Sequence, residues 1–137
     1  MCILKVYSDT ESFTSFAETT DIPVFSKYEK GDIKNKTKNL KWNDYRISFD
    51  VSDKDWDKLT DQIKDAIYFL DKYFNELESF LANPNINSAY LDFPIYSRLD
   101  ENIVNQNDQL PKELIILAGK LSLGIEMSIY SRDSFEL

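Results

Sequence analysis

The chain has 137 residues, of which 42% are hydrophobic and 29% charged, so it holds enough apolar material for one core and does not resemble a disordered protein. It contains no histidine and one cysteine, which excludes histidine-based catalysis, most zinc sites and an intrachain disulfide. A net charge of −8 disfavours binding to nucleic acid or to an anionic membrane, and we expect any partner to be a basic protein.

The N-terminus and the cysteine usage predict the compartment. Residues 1–11 lack the cationic and apolar regions of a signal peptide, and no segment approaches the roughly 18 apolar residues of a membrane span. Since Cys2 is the only thiol, we expect a cytoplasmic protein that does not enter the membrane.

The first predicted elements are a strand and a short helix. Apolar and mixed positions alternate over residues 2–7, as in a strand. Ser8 and Glu11 have the spacing of a capping box, which predicts a helix that begins there and ends near Thr19 or Thr20.

A second short strand and a loop are predicted next. Residues 22–25 have strand character, and Pro23, which has no amide proton, restricts them to an edge or to a strand start. Residues 27–41 carry six lysines against two acids, a local charge of +4 that leaves −12 for the rest of the chain. Because few apolar side chains occur in this stretch, a long solvated loop is predicted.

The centre of the chain predicts a strand followed by one long helix. Residues 45–51 alternate cleanly, which predicts one buried and one wet face. Ser52 and Asp55 again have capping-box spacing, and Asn83-Pro84 ends the helical pattern. Spacings of three and four predict an amphipathic helix of roughly 28 residues. The residues with this spacing are Trp56, Leu59, Ile63, Ile67, Leu70, Phe74, Leu77 and Leu81.

A second apolar set on this helix widens its apolar arc to about 160°, more than a helix needs to lie on a sheet. Either another helix of the chain or a second subunit must cover the extra strip, and the intramolecular cover is the default interpretation. The set, called the surplus strip, consists of Ala66, Phe69, Tyr73 and Phe80.

The last third predicts strand, helix and strand. Residues 89–96 alternate, and Pro94 indicates an edge or a bulge. After an Asn-rich loop, Pro111 is placed as the first residue of a short apolar helix, and Gly124 turns the chain into a strand over residues 125–130. The whole pattern predicts a single α+β domain, with a mostly antiparallel sheet in chain order β-α-β-β-α-β-α-β and the long helix on one face.

Few residues offer catalytic chemistry. Among three glycines there is no Walker sequence and no G-x-G-x-x-G, so we predict no cofactor, and we predict no metal site. Asp92 and Glu126 are the best carboxylate pair, because each lies on the polar side of a predicted strand. With 24 acids in the chain, ordinary solvated carboxylates are the favoured interpretation.

The same alternation gathers tyrosine, arginine and acids on the wet sheet face. Such a mixture is typical of protein-binding surfaces, although an ordinary uncovered sheet face has the same composition. The candidate binding residues are Arg46, Asp50, Tyr90, Asp92, Tyr96, Glu126, Ser128 and Tyr130.

Five segments of the chain carry a family resemblance. They are Phe49-Asp50-Val51-Ser52-Asp53, residues 62–70, Leu91-Asp92-Phe93, residues 110–114 and, most specifically, residues 118–130. The pattern, over roughly residues 45–130, resembles a family of small bacterial proteins that form a domain of unknown function. The resemblance implies a bacterial, cytoplasmic, single-domain protein and carries no established activity.

Three functions follow as hypotheses. The first is a non-enzymatic protein-binding module, in its most concrete form an immunity-type protein that neutralises a basic toxin, since acidic surfaces accelerate the capture of basic partners. The second is a regulatory or structural module that forms a homodimer through the surplus strip. The third is a carboxylate-based hydrolase, which requires Asp92 and Glu126 close together in a concave pocket.

Overall fold

Seven strands, four α-helices and a final 3-10 turn occur within residues 1–135, the part of the chain that the computed structural model describes. The strands are β1 (Cys2–Ser8), β2 (Val24–Tyr28), β3 (Ile33–Asn35), β4 (Leu40–Lys41), β5 (Tyr45–Ser52), β6 (Ser88–Tyr96) and β7 (Gly124–Tyr130). The helices are α1 (Thr14–Thr19), α2 (Leu59–Lys72), α3 (Phe74–Leu81) and α4 (Lys112–Lys120).

Five of the strands form one mixed sheet in the order β2-β5-β1-β6-β7. The first three neighbouring pairs are antiparallel, and β7 runs parallel to β6 after the crossover through α4. The prediction of an α+β fold with a mostly antiparallel sheet is confirmed.

The core lies between one face of this sheet and the helices. Leu4, Phe49, Leu91 and Phe93 project from the central strands and are completely buried. On their side α2 packs against β5, β6 and α4, while α1 packs against β2 and α4 against β7. Strand periodicity therefore leaves the alternate residues on the opposite face, which the helices do not cover.

The long helix that the sequence predicts is two helices. α2 ends at Lys72 and α3 begins at Phe74, because Tyr73 has φ −103° and ψ 18°, outside the helical region. Neither proline nor glycine occurs between residues 59 and 81. The reason for the break is tertiary. α3 brings Phe80 onto Phe16, with ring centroids 4.0 Å apart, and the free energy of this packing offsets the cost of a non-helical residue at Tyr73.

The surplus strip is covered inside the chain, as in the default interpretation, and this cover gives no support to the alternative homodimer through the strip. Ala66 and Phe69 are 0% and 4% exposed, and Tyr73 and Phe80 pack against the core. The cover comes from α4, which packs against α2, and from the aromatic side chains that surround Phe80.

The two predicted capping boxes end strands instead of beginning helices. Ser8 accepts hydrogen bonds from the amides of Thr10 and Glu11, but α1 begins only at Thr14. Ser52 likewise accepts from the Lys54 amide, and α2 begins at Leu59. Both hydroxyls accept hydrogen bonds from backbone amides where the chain leaves a strand. The same hydrogen bond can stabilise a turn or cap a helix.

The lysine-rich segment is more ordered than predicted. Its first residues complete β2, and β3 and β4 form a small hairpin. Gly31, at φ 94°, takes the left-handed conformation that this turn requires, and its amide donates to the carbonyl of Trp42. The hairpin returns Trp42 to the start of β5.

Pro94 lies where β6 has no paired strand on the β1 side, which agrees with the predicted edge position, although its other side pairs with β7. Pairing of β6 with β1 ends at Asp92, which faces Ile3. Because no strand lies opposite Pro94 on that side, its missing amide proton costs no hydrogen bond of the sheet. The next amide on the same side, that of Tyr96, donates to the carbonyl of Trp56.

The C-terminal turn also differs from the prediction in two details. Pro111 is the residue before α4 rather than its first residue. Ser122, at φ 56°, makes the left-handed turn that was assigned to Gly124, and Gly124 begins β7.

No helix of residues 1–135 has the length and apolar character needed to cross a membrane.

Candidate functional site

The uncovered side of the sheet carries the candidate site, and we call it the polar face. Strand alternation places all eight predicted binding residues there. The polar face consists of Ile3, Lys5 and Tyr7 on β1, Arg46, Ser48 and Asp50 on β5, Tyr90, Asp92 and Tyr96 on β6, and Glu126, Ser128 and Tyr130 on β7.

Asp92 is the centre of a charged cluster on this face. Its two carboxylate oxygens accept from Lys5 Nζ at 2.9 Å and from the Ser128 hydroxyl at 2.5 Å. The Ser128 oxygen also lies 3.3 Å from Glu126 Oε1, but its single proton is directed to the nearer carboxylate. Asp92 is only 8% exposed, whereas Glu126 is open to solvent.

The environment of Lys5 favours its charged form. Burial acts against the ammonium, but the hydrogen bond to Asp92 and the negative charge of that carboxylate outweigh it, so the pKa of Lys5 lies above its ordinary value. Lys5 and Asp92 therefore form an ion pair in the middle of the sheet.

A continuous ladder of stacked side chains leads from this cluster to the β2 edge. The rings of Tyr90 and Tyr7 stack at 5.9 Å, and their hydroxyl oxygens lie 3.2 Å apart. The Arg46 guanidinium lies between Tyr7 and Trp42, 4.7 and 4.2 Å from their ring centroids. Trp42 then stacks on Tyr28 at 4.4 Å. We call these five residues the aromatic ladder.

Tyr90 has a close neighbour on β7 and a partly buried phenol. Gly124 is its partner on β7, and a Cβ at Gly124 would lie 3.3 Å from the Cβ of Tyr90. Burial, followed by the hydrogen bond to Tyr7, raises the pKa of the Tyr90 phenol above its ordinary value.

This shift predicts a loss of stability at alkaline pH. The folded protein keeps the Tyr90 proton to a higher pH than the unfolded chain does, so the free energy of unfolding falls as pH rises above about 10. The raised pKa of Lys5 acts in the same direction. We expect Tyr90→Phe to make this decline shallower, as measured by urea unfolding between pH 8 and pH 11.

Tyr68→Phe is the matched control, because Tyr68 is 67% exposed on α2 and lies outside the polar face. It should leave the alkaline decline as steep as in the unaltered protein. Equal slopes for Tyr90→Phe and the unaltered protein would contradict the prediction.

A second aromatic group lies at the other end of β6 and β7. Trp56 stacks on Tyr130 at 4.7 Å and lies 5.4 Å from Tyr96, while the Arg132 guanidinium is 4.8 Å from the Tyr96 ring. Trp56 was predicted to begin the long helix, but it precedes α2 and packs here instead.

Between the two aromatic groups, a row of carboxylates crosses the sheet. Paired residues of neighbouring strands place Asp50, Ile3, Asp92 and Glu126 side by side. With strands about 4.8 Å apart, Asp50 and Glu126 stand about 14 Å from each other. Within residues 1–135 neither of these two exposed carboxylates is in an ion pair, whereas Lys5 neutralises Asp92 between them.

Sequence reasoning missed several residues that contact this surface. Trp42 and Asp44 were not singled out, and Trp56 was assigned to the long helix. Asp44 Oδ1 lies 2.6 Å from the Arg46 Nε and orients that side chain. The only signal for Trp42 was its position next to a strand whose alternation was clear.

The site offers limited chemistry. Asp92 and Glu126 are neighbours, as the hydrolase hypothesis requires, but they lie on a sheet face, and Asp92 is engaged by Lys5 and Ser128. Cys2 is fully buried, and burial raises the pKa of its thiol. Among the described residues, no group of three or more cysteines and acids is arranged to hold a metal ion.

The interpretation of the polar face therefore depends on its own geometry. Comparison with known proteins finds no relative of this chain: no protein-family model, no curated protein and no solved structure matches it.

Proposed function

We propose that the chain is a non-enzymatic protein-binding module that captures a basic protein on its polar face. The observation that carries the proposal is the row formed by Asp50, Ile3, Asp92 and Glu126, which lies on an uncovered sheet between two aromatic groups. The partner's cationic side chains are expected to pair with Asp50 and Glu126.

The charge distribution supports a basic partner. Lys5 and Arg46 are the cations of the polar face, and each is already paired with a carboxylate of the chain, Asp92 and Asp44 respectively. Asp50 and Glu126 therefore supply the uncompensated charge of this surface, in a chain of net charge −8. Such a surface steers cations towards it and attracts them more strongly at low salt.

The aromatic groups support a protein as the ligand. Tyrosine and tryptophan bring large contact areas at low entropic cost, and arginine and aromatic residues are enriched at the centres of protein interfaces. In the aromatic ladder, stacking already immobilises Arg46 and Tyr7, so binding need not order them. Ile3, partly buried between two acids of the row, supplies an apolar contact.

The most concrete form of this proposal is an immunity-type protein that neutralises a basic toxin in the cytoplasm. Small size, a high negative charge and a rigid binding face suit the capture of a basic enzyme before it acts. A toxin domain of opposite charge encoded beside this chain, and forming a stable pair with it after purification, is the expected result.

The decisive experiment uses charge reversal on the polar face. Asp50→Lys combined with Glu126→Lys should abolish the capture of basic proteins from a lysate of the native host at low salt, because two attractive carboxylates become repulsive. Both side chains are exposed, so we expect the free energy of unfolding to change by less than about 1 kcal/mol.

A matched control reverses two exposed acids outside the polar face. Asp71→Lys combined with Glu113→Lys changes the net charge equally, on α2 and α4. A partner that binds the polar face is retained by this control and lost from the first variant. If both variants lose the partner alike, only the net charge matters and the polar face is not the binding site.

A further inference from the structure

The outer edge of β7 is a free edge of the sheet. β7 is the last strand in the order, and the carbonyl of Tyr130 accepts from the Ser97 amide on the β6 side at 2.8 Å. Because successive residues of a strand point their backbone groups to alternate sides, those of Ile125, Met127 and Ile129 point outward. In the described part of the chain, no strand pairs with them there.

The β7 edge lacks the features that hinder strand addition at the β2 edge. β2 is preceded by Pro23, carries Lys27 and has a register shift between Val24 and Ser26, all of which hinder the addition of another strand. β7 pairs regularly with β6 over seven residues and contains neither proline nor lysine. An unprotected edge of this length is a template for strand pairing.

Apolar side chains are exposed beside the same edge. Ile129 is 60% exposed and shares a cavity of about 310 Å³ with Leu99 and Val104, which are 52% and 87% exposed. Exposed apolar side chains beside an unpaired strand edge are typical of an interface.

We propose that β7 pairs antiparallel with β7 of a second copy of this chain, which joins the two sheets across a twofold axis. The sequence Gly124-Ile125-Glu126-Met127-Ser128-Ile129-Tyr130 is self-complementary about Met127. In that register Met127 faces itself and Ile125 faces Ile129 of the second copy. All three residues have outward backbone groups, so each of these pairs closes a hydrogen-bonded ring.

Side chains on the polar side complement each other in the same register. Glu126 faces Ser128 of the second copy, a small neutral side chain that does not repel its carboxylate. Gly124 faces Tyr130 of the second copy and leaves space for the ring. A shift of two residues in one direction places Glu126 opposite Glu126 of the second copy, and the like charges repel each other. A shift of two residues in the other direction places Ile125 opposite Ser131, which loses an apolar pair. The register centred on Met127 is therefore preferred.

The dimer would present two polar faces side by side on one continuous surface. This arrangement goes beyond the proposed function, because it makes the module bivalent for a partner with repeated basic sites. A seven-residue strand edge is a small contact, which places the dissociation constant in the micromolar range or above.

Sedimentation equilibrium over a concentration series tests the proposal. The unaltered chain should approach twice its mass of 16.0 kDa at high concentration. Ile129→Lys should raise the dissociation constant more than about tenfold, because the dimer then holds two desolvated ammonium groups opposite Ile125.

Ile33→Lys is the matched control, since Ile33 on the β3–β4 hairpin is 58% exposed, close to the 60% of Ile129. It should leave dimerisation unchanged. A monomer for the unaltered chain at submillimolar concentration overturns the proposal, as does a dimer that Ile129→Lys leaves intact or that both variants weaken alike.

Amide hydrogen exchange tests the pairing without any substitution. In the dimer the amides of Met127 and Ile129 should gain protection as concentration rises, while those of Glu126 and Ser128, already directed to β6, should not. An equal change of protection in the outward and the inward amides would refute pairing at the β7 edge.

Salt separates this proposal from the proposed function. Each copy carries a net charge of −8, so added salt reduces their repulsion and should strengthen the dimer. Capture of a basic protein should weaken under the same conditions. Either proposal can therefore fail while the other stands.

Discussion

Phe49→Ala is expected to lower the free energy of unfolding by about 3–5 kcal/mol, the usual cost of truncating a fully buried phenylalanine. Phe49 is 0% exposed on β5, and its ring makes edge contacts with those of Phe16 and Phe80, at 6.1 and 6.0 Å between centroids. Its removal leaves a cavity where the sheet, α1 and α3 meet. Urea unfolding followed by circular dichroism measures the loss.

Phe25→Ala is the control for this substitution. Phe25 lies on β2 and is 50% exposed, so the same truncation should cost less than about 1.5 kcal/mol. Similar costs at the two positions would show that the aromatic cluster around Phe49 does not anchor α1 and α3 to the sheet.

Asp92→Lys is expected to destabilise the protein by about 3 kcal/mol, because it replaces half of a part-buried ion pair with a second cation. Lys5 and Asp92 have side chains that are 30% and 11% exposed, so the new ammonium would face Lys5 with little water around it. The Ser128 hydroxyl would also lose its nearer acceptor. The cost lies at the low end of the range for buried pairs because Lys5 keeps some contact with water.

Glu126→Lys controls for the change of charge in the same row. Glu126 is exposed and in no ion pair of the described residues, so its reversal should change the free energy of unfolding by less than about 0.5 kcal/mol. The charge-swapped protein Lys5→Asp/Asp92→Lys should recover part of the loss. Without any recovery, the ion pair is not the cause of the destabilisation.

The Asp92 prediction also corrects the sequence-based view of this residue. From the alternation alone, Asp92 was interpreted as an ordinary solvated carboxylate on the wet sheet face. Burial of Asp92 between Lys5 and Ser128 makes it a structural member of that face. Asp50 and Glu126 are therefore the informative positions for testing partner binding.

The sequence pattern predicted the fold best where the buried residues recur with the period of a strand or a helix. The alternation in residues 45–51 and 89–96 identified both strands and separated their polar from their apolar sides, because a strand exposes successive residues to opposite faces. The eight candidate residues share one sheet face for this reason. Spacings of three and four identified α2 and α3 in the same way.

Non-local packing decided what periodicity could not. The break at Tyr73 has no local signal and depends on the aromatic partners of Phe80, which come from α1, from the residue before it and from β5. Similarly, Ser8 and Ser52 have the spacing of caps, but the chain turns after each of them before a helix begins. In both cases the residue types fit two local structures, and contacts distant in sequence select one.

By itself, then, the sequence determined an α+β chain with a one-sided hydrophobic sheet, a negative charge and a set of polar residues sharing one face. Only the tertiary structure decided that β1 lies between β5 and β6, that Lys5 neutralises Asp92, and that Trp42 and Trp56 pack against residues of the polar face. The physical reason is that side-chain orientation within a strand is a property of neighbouring residues, whereas strand order and the partners of a charge depend on which distant segments pack together.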